Sequence, residues 1–274
     1  MKEKKVYKYE DIDFILQNEE LQLPDDYISS MNENWKEEIL KGRGYINGSI
    51  YTISGYNFDD MKKQIYIQRT LYSHYLYSKK RKYDIYSCRS MASNALFLTS
   101  DNYFVLGKMQ NTTSLPGKIK FIGGSVDRED ISTLNRVDIT KCIRRECNEE
   151  IGINIDNEIY VEDLKPIAYI TRTHLTFLNT LFFVKLLINK KELENHFKKF
   201  KNNLIQNNKE VEIQDIILVH NDEISIYDFL EKNDENLIDY MKDFFETYFN
   251  RIEYGDFEEY VKNNIKKVEV ENEN

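Results

Sequence analysis

RRECNEEIGI, residues 144–153, packs two arginines and three glutamates into ten positions and closes on a glycine and an isoleucine. Apolar residues in and beside it recur at helical spacing: Ile143, Cys147 and Ile151 lie four apart and form one stripe toward a core. Glu146, Glu149 and Glu150, three and four apart, share a different face. Gly152 stands where a helix over residues 141–151 needs a left-handed residue to end. Three carboxylates on one face repel each other unless positive charge sits among them. Either Arg144 and Arg145 offset them on a solvated face, the commoner fate of a charge run, or the face holds Mg²⁺ or Mn²⁺. Those hard cations take carboxylate oxygens beside substrate phosphates.

The residues just upstream favour the second reading. KIKFIGGSVDRED, residues 118–130, reads as a strand running into Gly123-Gly124 and then an acidic loop. Glycines there permit close backbone approach and leave amides or carbonyls open to a phosphate or a cation. Further upstream, MASNALFLT and YFVLGKM form a hairpin across the turn SDN, and NTTSLPGK is a loop. Downstream, strands are expected near 159–172 and 176–188, then a polar helix and loop over 189–208. The strand IILV follows at 216–219, then helices from 224 to about 268 and an acidic tail prone to fraying.

Toward the N-terminus, YEDIDFILQNEEL and ISSMNENWKEEILK read as helices separated by Pro24 and ended by Gly42. Asn47-Gly48 has the chemistry of a two-residue hairpin turn, KQIYIQRTLYSHYLYS reads as β-rich, and the basic cluster at 79–82 as a solvated connector. A boundary is placed near residue 85. Residues 1–85 form an accessory α+β segment, and 86–274 a mixed α/β domain with C-terminal helices. No internal repeat is found.

Composition limits the function classes. Against 38 Lys and Arg stand 47 Asp and Glu, a formal net charge of −9. That balance excludes nonspecific coating of nucleic acid or an anionic membrane, which needs a basic surface. It leaves room for a local basic pocket. The 20 tyrosines and 15 phenylalanines are read mainly as core. Cys88, Cys142 and Cys147 make no disulfide framework and no Cys-x-x-Cys pair, and His74, His174, His196 and His220 are scattered. The N-terminus lacks the apolar core of a signal peptide, and the most apolar run, LTFLNTLFFVKLLI, is broken by Asn179 and Lys185. A soluble, cytoplasmic protein is the expectation.

The box and its surroundings resemble the Nudix hydrolases, whose signature is G-x5-E-x7-R-E-U-x-E-E-x-G-U with U apolar. Arg145, Glu146, Cys147, Glu149, Glu150, Gly152 and Ile153 match its second half. Gly124 opens the first half, with Asp130 five residues beyond in place of the glutamate; Gly123 pairs alternatively with Glu129. Between that acid and Arg145 the chain carries about seven extra residues, around ISTLNRVD. The resemblance covers roughly residues 88–250.

It implies an α/β/α sandwich with a mixed sheet. It also implies a hydrolase that cuts the pyrophosphate bond of a nucleoside diphosphate linked to another moiety, with Mg²⁺ or Mn²⁺ as cofactor. Glu146, Glu149 and Glu150 become metal ligands and Arg145 their orienter. The Gly124 carbonyl is a further ligand, and Glu212, with Glu210 second, completes the set. Arg89, Lys108 and Arg172 are candidate phosphate or substrate partners; His174 is read as an ordinary packed or exposed histidine. The extended N-terminus, the hairpin and the lengthened box resemble the branch related to UDP-glucose pyrophosphatases, which puts nucleotide sugars first among substrates. An accessory segment leaves room for a homodimer. Two other classes compete: a non-catalytic nucleotide-sensing module, though such proteins lose box acids, and a scaffold with a solvated acidic helix. Among enzymes, mRNA decapping ranks lower, because no basic stripe is visible.

Overall fold

Long apolar runs in the middle of the chain, buried on both faces, lay down the sheet that everything else is built on. The computed structural model describes residues 5–42, 45–59 and 62–268. In chain order the N-terminal elements are β1 (Val6–Lys8), β2 (Asp13–Leu16), α1 (Asp25–Leu40), β3 (Ser49–Phe58), β4 (Lys63–Leu71) and α2 (Tyr72–Lys80). Then come β5 (Ser90–Leu98), β6 (Tyr103–Met109), β7 (Ile119–Lys120), β8 (Ile122–Ser125) and α3 (Ile139–Ile151). The rest are β9 (Val161–Thr171), β10 (Phe177–Leu186), α4 (Lys190–Gln206), β11 (Ile213–His220), α5 (Glu223–Lys232), α6 (Met241–Tyr248) and α7 (Phe257–Asn264).

The sheet is mixed. β10 runs parallel to β5 and antiparallel to β9, while β6 pairs antiparallel with β5, β7 and β11. β8 closes antiparallel onto β5, setting Gly124 opposite Ser93. Along β5, Ala95 and Phe97 join a core with Ile143, Cys147 and Ile151 of α3 and Leu193 and Phe197 of α4. Leu96, between them in sequence, joins the opposite core with Phe104, Phe121 and the α6 residues Met241, Phe244 and Phe245. A strand buried on both faces between helices makes an α/β/α sandwich, the expected class.

Residues 1–85 are woven into the same sheet. β1 pairs with β9, and β3 touches β5 at Thr52 and Ser90. A third core mixes Tyr7, Phe14, Ile53, Ile65 and Ile67 with Tyr169, Leu175, Leu178, Phe257 and Val261.

Three local expectations change. YEDIDFIL is not helical at its apolar end: Ile12 and Phe14, two apart, are both buried, and β2 pairs parallel with β4. The period there is two, too short a run for the sequence to separate from helix. Asn47-Gly48 is not a hairpin turn. The Asn47 side chain accepts from Ser73 N–H at 2.8 Å and the Gly48 carbonyl from Tyr72 N–H at 3.0 Å, so the pair caps α2. YSHYLYSKK is helical rather than β, held by buried His74, which bonds Thr70 and the Tyr86 carbonyl.

The extra residues before α3 find partners in the N-terminal segment. Leu16 N–H donates to the Asn135 carbonyl and Val137 N–H to the Phe14 carbonyl, so the insertion extends the sheet beyond β2. The acidic tail from residue 269 lies outside the described residues.

Candidate active site

α3 starts where Asp138 accepts from Lys141 N–H at 2.8 Å, and it ends at Gly152, whose φ of 70° is left-handed. Its apolar stripe anchors it on β5 and β8, which turns Arg145 and the glutamates toward the Gly123-Gly124 strand. The Arg145 guanidinium is a hub. It donates to both oxygens of Asp130 at 3.3 and 2.9 Å, to the Ser125 carbonyl at 3.0 Å, and to Glu146 and Glu149 at 2.8 and 3.0 Å. Asp130 is fully buried and also accepts from Asp127 N–H at 2.8 Å. Glu129 is exposed and does not meet the arginine; its backbone carbonyl accepts from Lys141. The loop acid facing the box arginine is therefore Asp130.

On the other side of the helix face stands Lys120. Its ammonium donates to the Gly123 carbonyl and, at 2.8 Å, to Glu150, whose second oxygen accepts from Gly123 N–H at 2.7 Å. Gly123 has φ +132° and a Cβ there would stand 2.3 Å from the Ser93 carbonyl, so no side chain is tolerated. At Gly124 a Cβ would lie 2.5 Å from a Glu146 oxygen: the carboxylate occupies the space the glycine leaves. Burial, reinforced by the Glu150 charge, pushes Glu146 up to about 8, against the pull of Arg145 and Lys120. Glu212 is raised as well, by burial and then by Glu150. Lys120 stays charged: burial disfavours its ammonium, and Glu150 more than offsets that.

These groups share one cavity of about 460 Å³, lined by Glu146, Glu149, Glu150 and Glu212 with Gly123 and Gly124, and also by Tyr72, Tyr75, Phe177 and Tyr240. Among the described residues no three His, Cys, Asp or Glu side chains are grouped at metal-ligating spacing. The reason is visible: Arg145 draws Glu146 and Glu149 together on one side, and Lys120 holds Glu150 on the other. The donor chemistry nonetheless fits a hard divalent ion, since all the groups are oxygens. Burial and then the Glu150 charge disfavour the carboxylates of Glu146 and Glu212, which a cation would relieve, and Glu149 has a side chain 57% exposed.

No family model matches the chain, and no curated protein does. Solved structures do. One is a bifunctional NMN adenylyltransferase/ADP ribose pyrophosphatase from Francisella tularensis, at 10% identity and TM-score 0.38, covering 83% of this chain and 77% of that one. Another is a MutT protein from Methanosarcina mazei, at 18% identity and TM-score 0.26, covering 44% and 96%. A third is a NUDIX hydrolase from Nitrosomonas europaea, at 11% identity and TM-score 0.28, covering 54% and 90%. The likeness is to Nudix hydrolases. With TM-scores this low, the side chains of the Nudix-like box have to carry any functional reading.

The structure brings Arg145, Glu146, Glu149, Glu150, Gly124 and Glu212 to this cavity, and Arg172 lines it too. Arg172 is already committed: it forks onto Asp239 and lies over the Phe177 and Tyr240 rings at 5.0 and 5.8 Å. Lys108 and Arg89 are not among the lining residues. Lys108 sits on β6 between Asp215 and Ile119, and Arg89 bonds the Tyr83 hydroxyl. Glu210, the second choice, is exposed and does not line the cavity. The carbonyl turned toward the cationic group is that of Gly123, whereas Gly124's faces the Cys142 thiol. His174 stacks on Tyr83 at 4.3 Å, away from the carboxylates.

Sequence reasoning missed Lys120, Tyr72, Tyr75 and Tyr240. The first had a signal: Ile119 and Phe121 alternate into a core, which leaves a lysine on the opposite face just before the glycine pair. Tyr72 and Tyr75 are three apart on a helix that was read as a strand.

Proposed function

We propose that this protein is a Nudix-type hydrolase that uses Mg²⁺ or Mn²⁺ to cut the pyrophosphate bond of a nucleoside diphosphate linked to a second group. One observation carries the reading: four glutamates and two backbone-exposing glycines line the same cavity as a set of aromatic rings. Such a substrate has a diphosphate to meet the first and flat rings to meet the second. Glu146, Glu149 and Glu212 would hold the ion, with Glu150 beside them tied to Lys120 and Gly123 N–H. When bound, a divalent ion neutralises diphosphate charge and lowers the pKa of water.

The rest is the work of the chain. Arg145, fixed by Asp130 and the Ser125 carbonyl, keeps Glu146 and Glu149 oriented toward the cavity through charge-assisted bonds. Gly123 lets its strand close onto Ser93, and Gly124 leaves the space that the Glu146 carboxylate fills at the cavity. Tyr72 and Tyr75, 5.7 Å apart, and Phe177 stacked on Tyr240 at 5.8 Å give the cavity aromatic walls against which a nucleoside or sugar ring would pack. Nucleotide sugars and dinucleotides are accordingly the first substrates to try.

The test is product release from a panel of NDP-sugars, dinucleotides, nucleoside triphosphates and capped RNA, with each metal. Glu149→Gln is expected to lower kcat at least about a hundredfold, a loss of the order reported for single electrostatic groups, while leaving the fold intact because Glu149 is exposed. No turnover on any substrate with either ion removes the proposal. A second reading has its own support: with Glu146 and Glu149 tied to Arg145, the cavity can be a metal-independent nucleotide sensor. Nucleotide affinity that is insensitive both to chelator and to Glu149→Gln selects that alternative.

A further inference from the structure

We infer that Lys120 is a built-in cation of the carboxylate cluster, holding the Glu150 carboxylate and the Gly123 carbonyl in place of a divalent ion and so reducing the number of ions the site takes. The inference rests on the reading of the cavity as a divalent-metal hydrolase site. Four features support it. Lys120 is 8% exposed, so its charge is not a surface charge that wandered inward. Its ammonium bonds a glutamate oxygen at 2.8 Å and a backbone carbonyl, the oxygen types a hard cation takes. The position is fixed from both ends: β7 places Lys120 opposite Ile119 and Phe121, which are locked in a core, and Gly123 N–H pins the other Glu150 oxygen.

The fourth feature is charge. A dication brought to the same Glu150 oxygen meets an ammonium at contact distance in a poorly screened interior. Glu146 and Glu212 feel the Lys120 charge but are not bonded to it, and with Glu149 they remain for a metal. Arg145 plays a different part, because its guanidinium is anchored outside this pair by Asp130 and Ser125. A lysine recruited chiefly for substrate phosphate would present its ammonium to solvent; this one has its side chain 10% exposed and two bonds already made.

Manganese binding to the full chain tests it, read by the loss of the free-ion paramagnetic resonance signal and by the metal-induced shift in Tm. Lys120→Gln is expected to bind one Mn²⁺ more than the wild type, or to bind at least tenfold more tightly, and to gain the larger Tm shift. Lys120→Arg, which keeps the charge, is expected to match the wild-type stoichiometry. If Lys120→Gln folds poorly without metal, Mn²⁺ should restore it. Overturning results are unchanged stoichiometry and affinity in Lys120→Gln, failure of Mn²⁺ to stabilise it beyond the wild type, or a raised KM with metal binding untouched. No Mn²⁺ binding by either protein would overturn the hydrolase reading and this inference with it, whereas equal binding by both overturns this inference alone.

Discussion

At the scale of single residues, the box arginine and the loop acid make the sharpest claim. Asp130 is fully buried and meets the Arg145 fork, so removing it takes two charge-assisted bonds from a guanidinium whose side chain is only 18% exposed, leaving it with Glu146, Glu149 and the Ser125 carbonyl. Asp130→Ala is expected to cost about 3–5 kcal/mol, the range for breaking a buried ion pair from one side. Glu129→Ala, at an exposed position whose backbone alone is used, should cost less than about 0.5 kcal/mol. Urea melts of the two variants decide it, and equal losses would show that the assignment of the loop acid is wrong. Gly123→Ala is expected to lose at least about 2 kcal/mol from a strained backbone conformation, compounded by the Ser93 carbonyl in the way. The acids and Arg145 were legible because their spacing is a property of a helix. Lys120 and the choice between Glu129 and Asp130 were not. Both depend on where a short strand and a loop with inserted residues bring their side chains, and no period encodes that.

Elements were readable where the pattern was long. β5, β10, α3 and α4 each run nine residues or more, and each stands where a long apolar run or helical spacing puts it. β2, four residues long, and α2, full of tyrosines that suit either state, were decided by neighbours instead. One of those neighbours gives a pH test. Glu38 on α1 accepts from Lys41 and from Lys80 at the end of α2, and these bonds hold its carboxyl down from the usual 4.5 to about 2. A depressed carboxylate contributes stability that is complete above 4.5 and fades as the pH falls toward 2. The lysines are 49% and 40% exposed, so solvent screening limits the contribution to the order of 1 kcal/mol. Thermal melts should therefore show wild type and Glu38→Gln converging in acid and separating above pH 4.5. A constant gap across that window would mean the α1–α2 contact is packing rather than charge.

For the whole molecule, the relation between the first 85 residues and the rest controls both stability and the cavity. Sequence suggested a boundary because the period of the chain changes near there, but period reports local structure and cannot report strand pairing. β1 is hydrogen-bonded to β9, β2 to the insertion before α3, and Tyr7, Phe14, Ile65 and Ile67 share a core with Tyr169, Leu178, Phe257 and Val261. Tyr51, Tyr72 and Tyr75 from the same segment line the carboxylate cavity. Separating the two parts would expose that core on both sides, strip β9 of an edge partner and remove the aromatic wall. Calorimetry on the full chain is expected to give one cooperative transition whose van't Hoff and calorimetric enthalpies agree. A fragment of residues 86–274 should be aggregation-prone, with no cooperative melt of its own. Two resolved transitions, or a fragment that melts cooperatively and still binds Mn²⁺ as the full chain does, would mean that the shared core contributes little and that the N-terminal segment is an appendage.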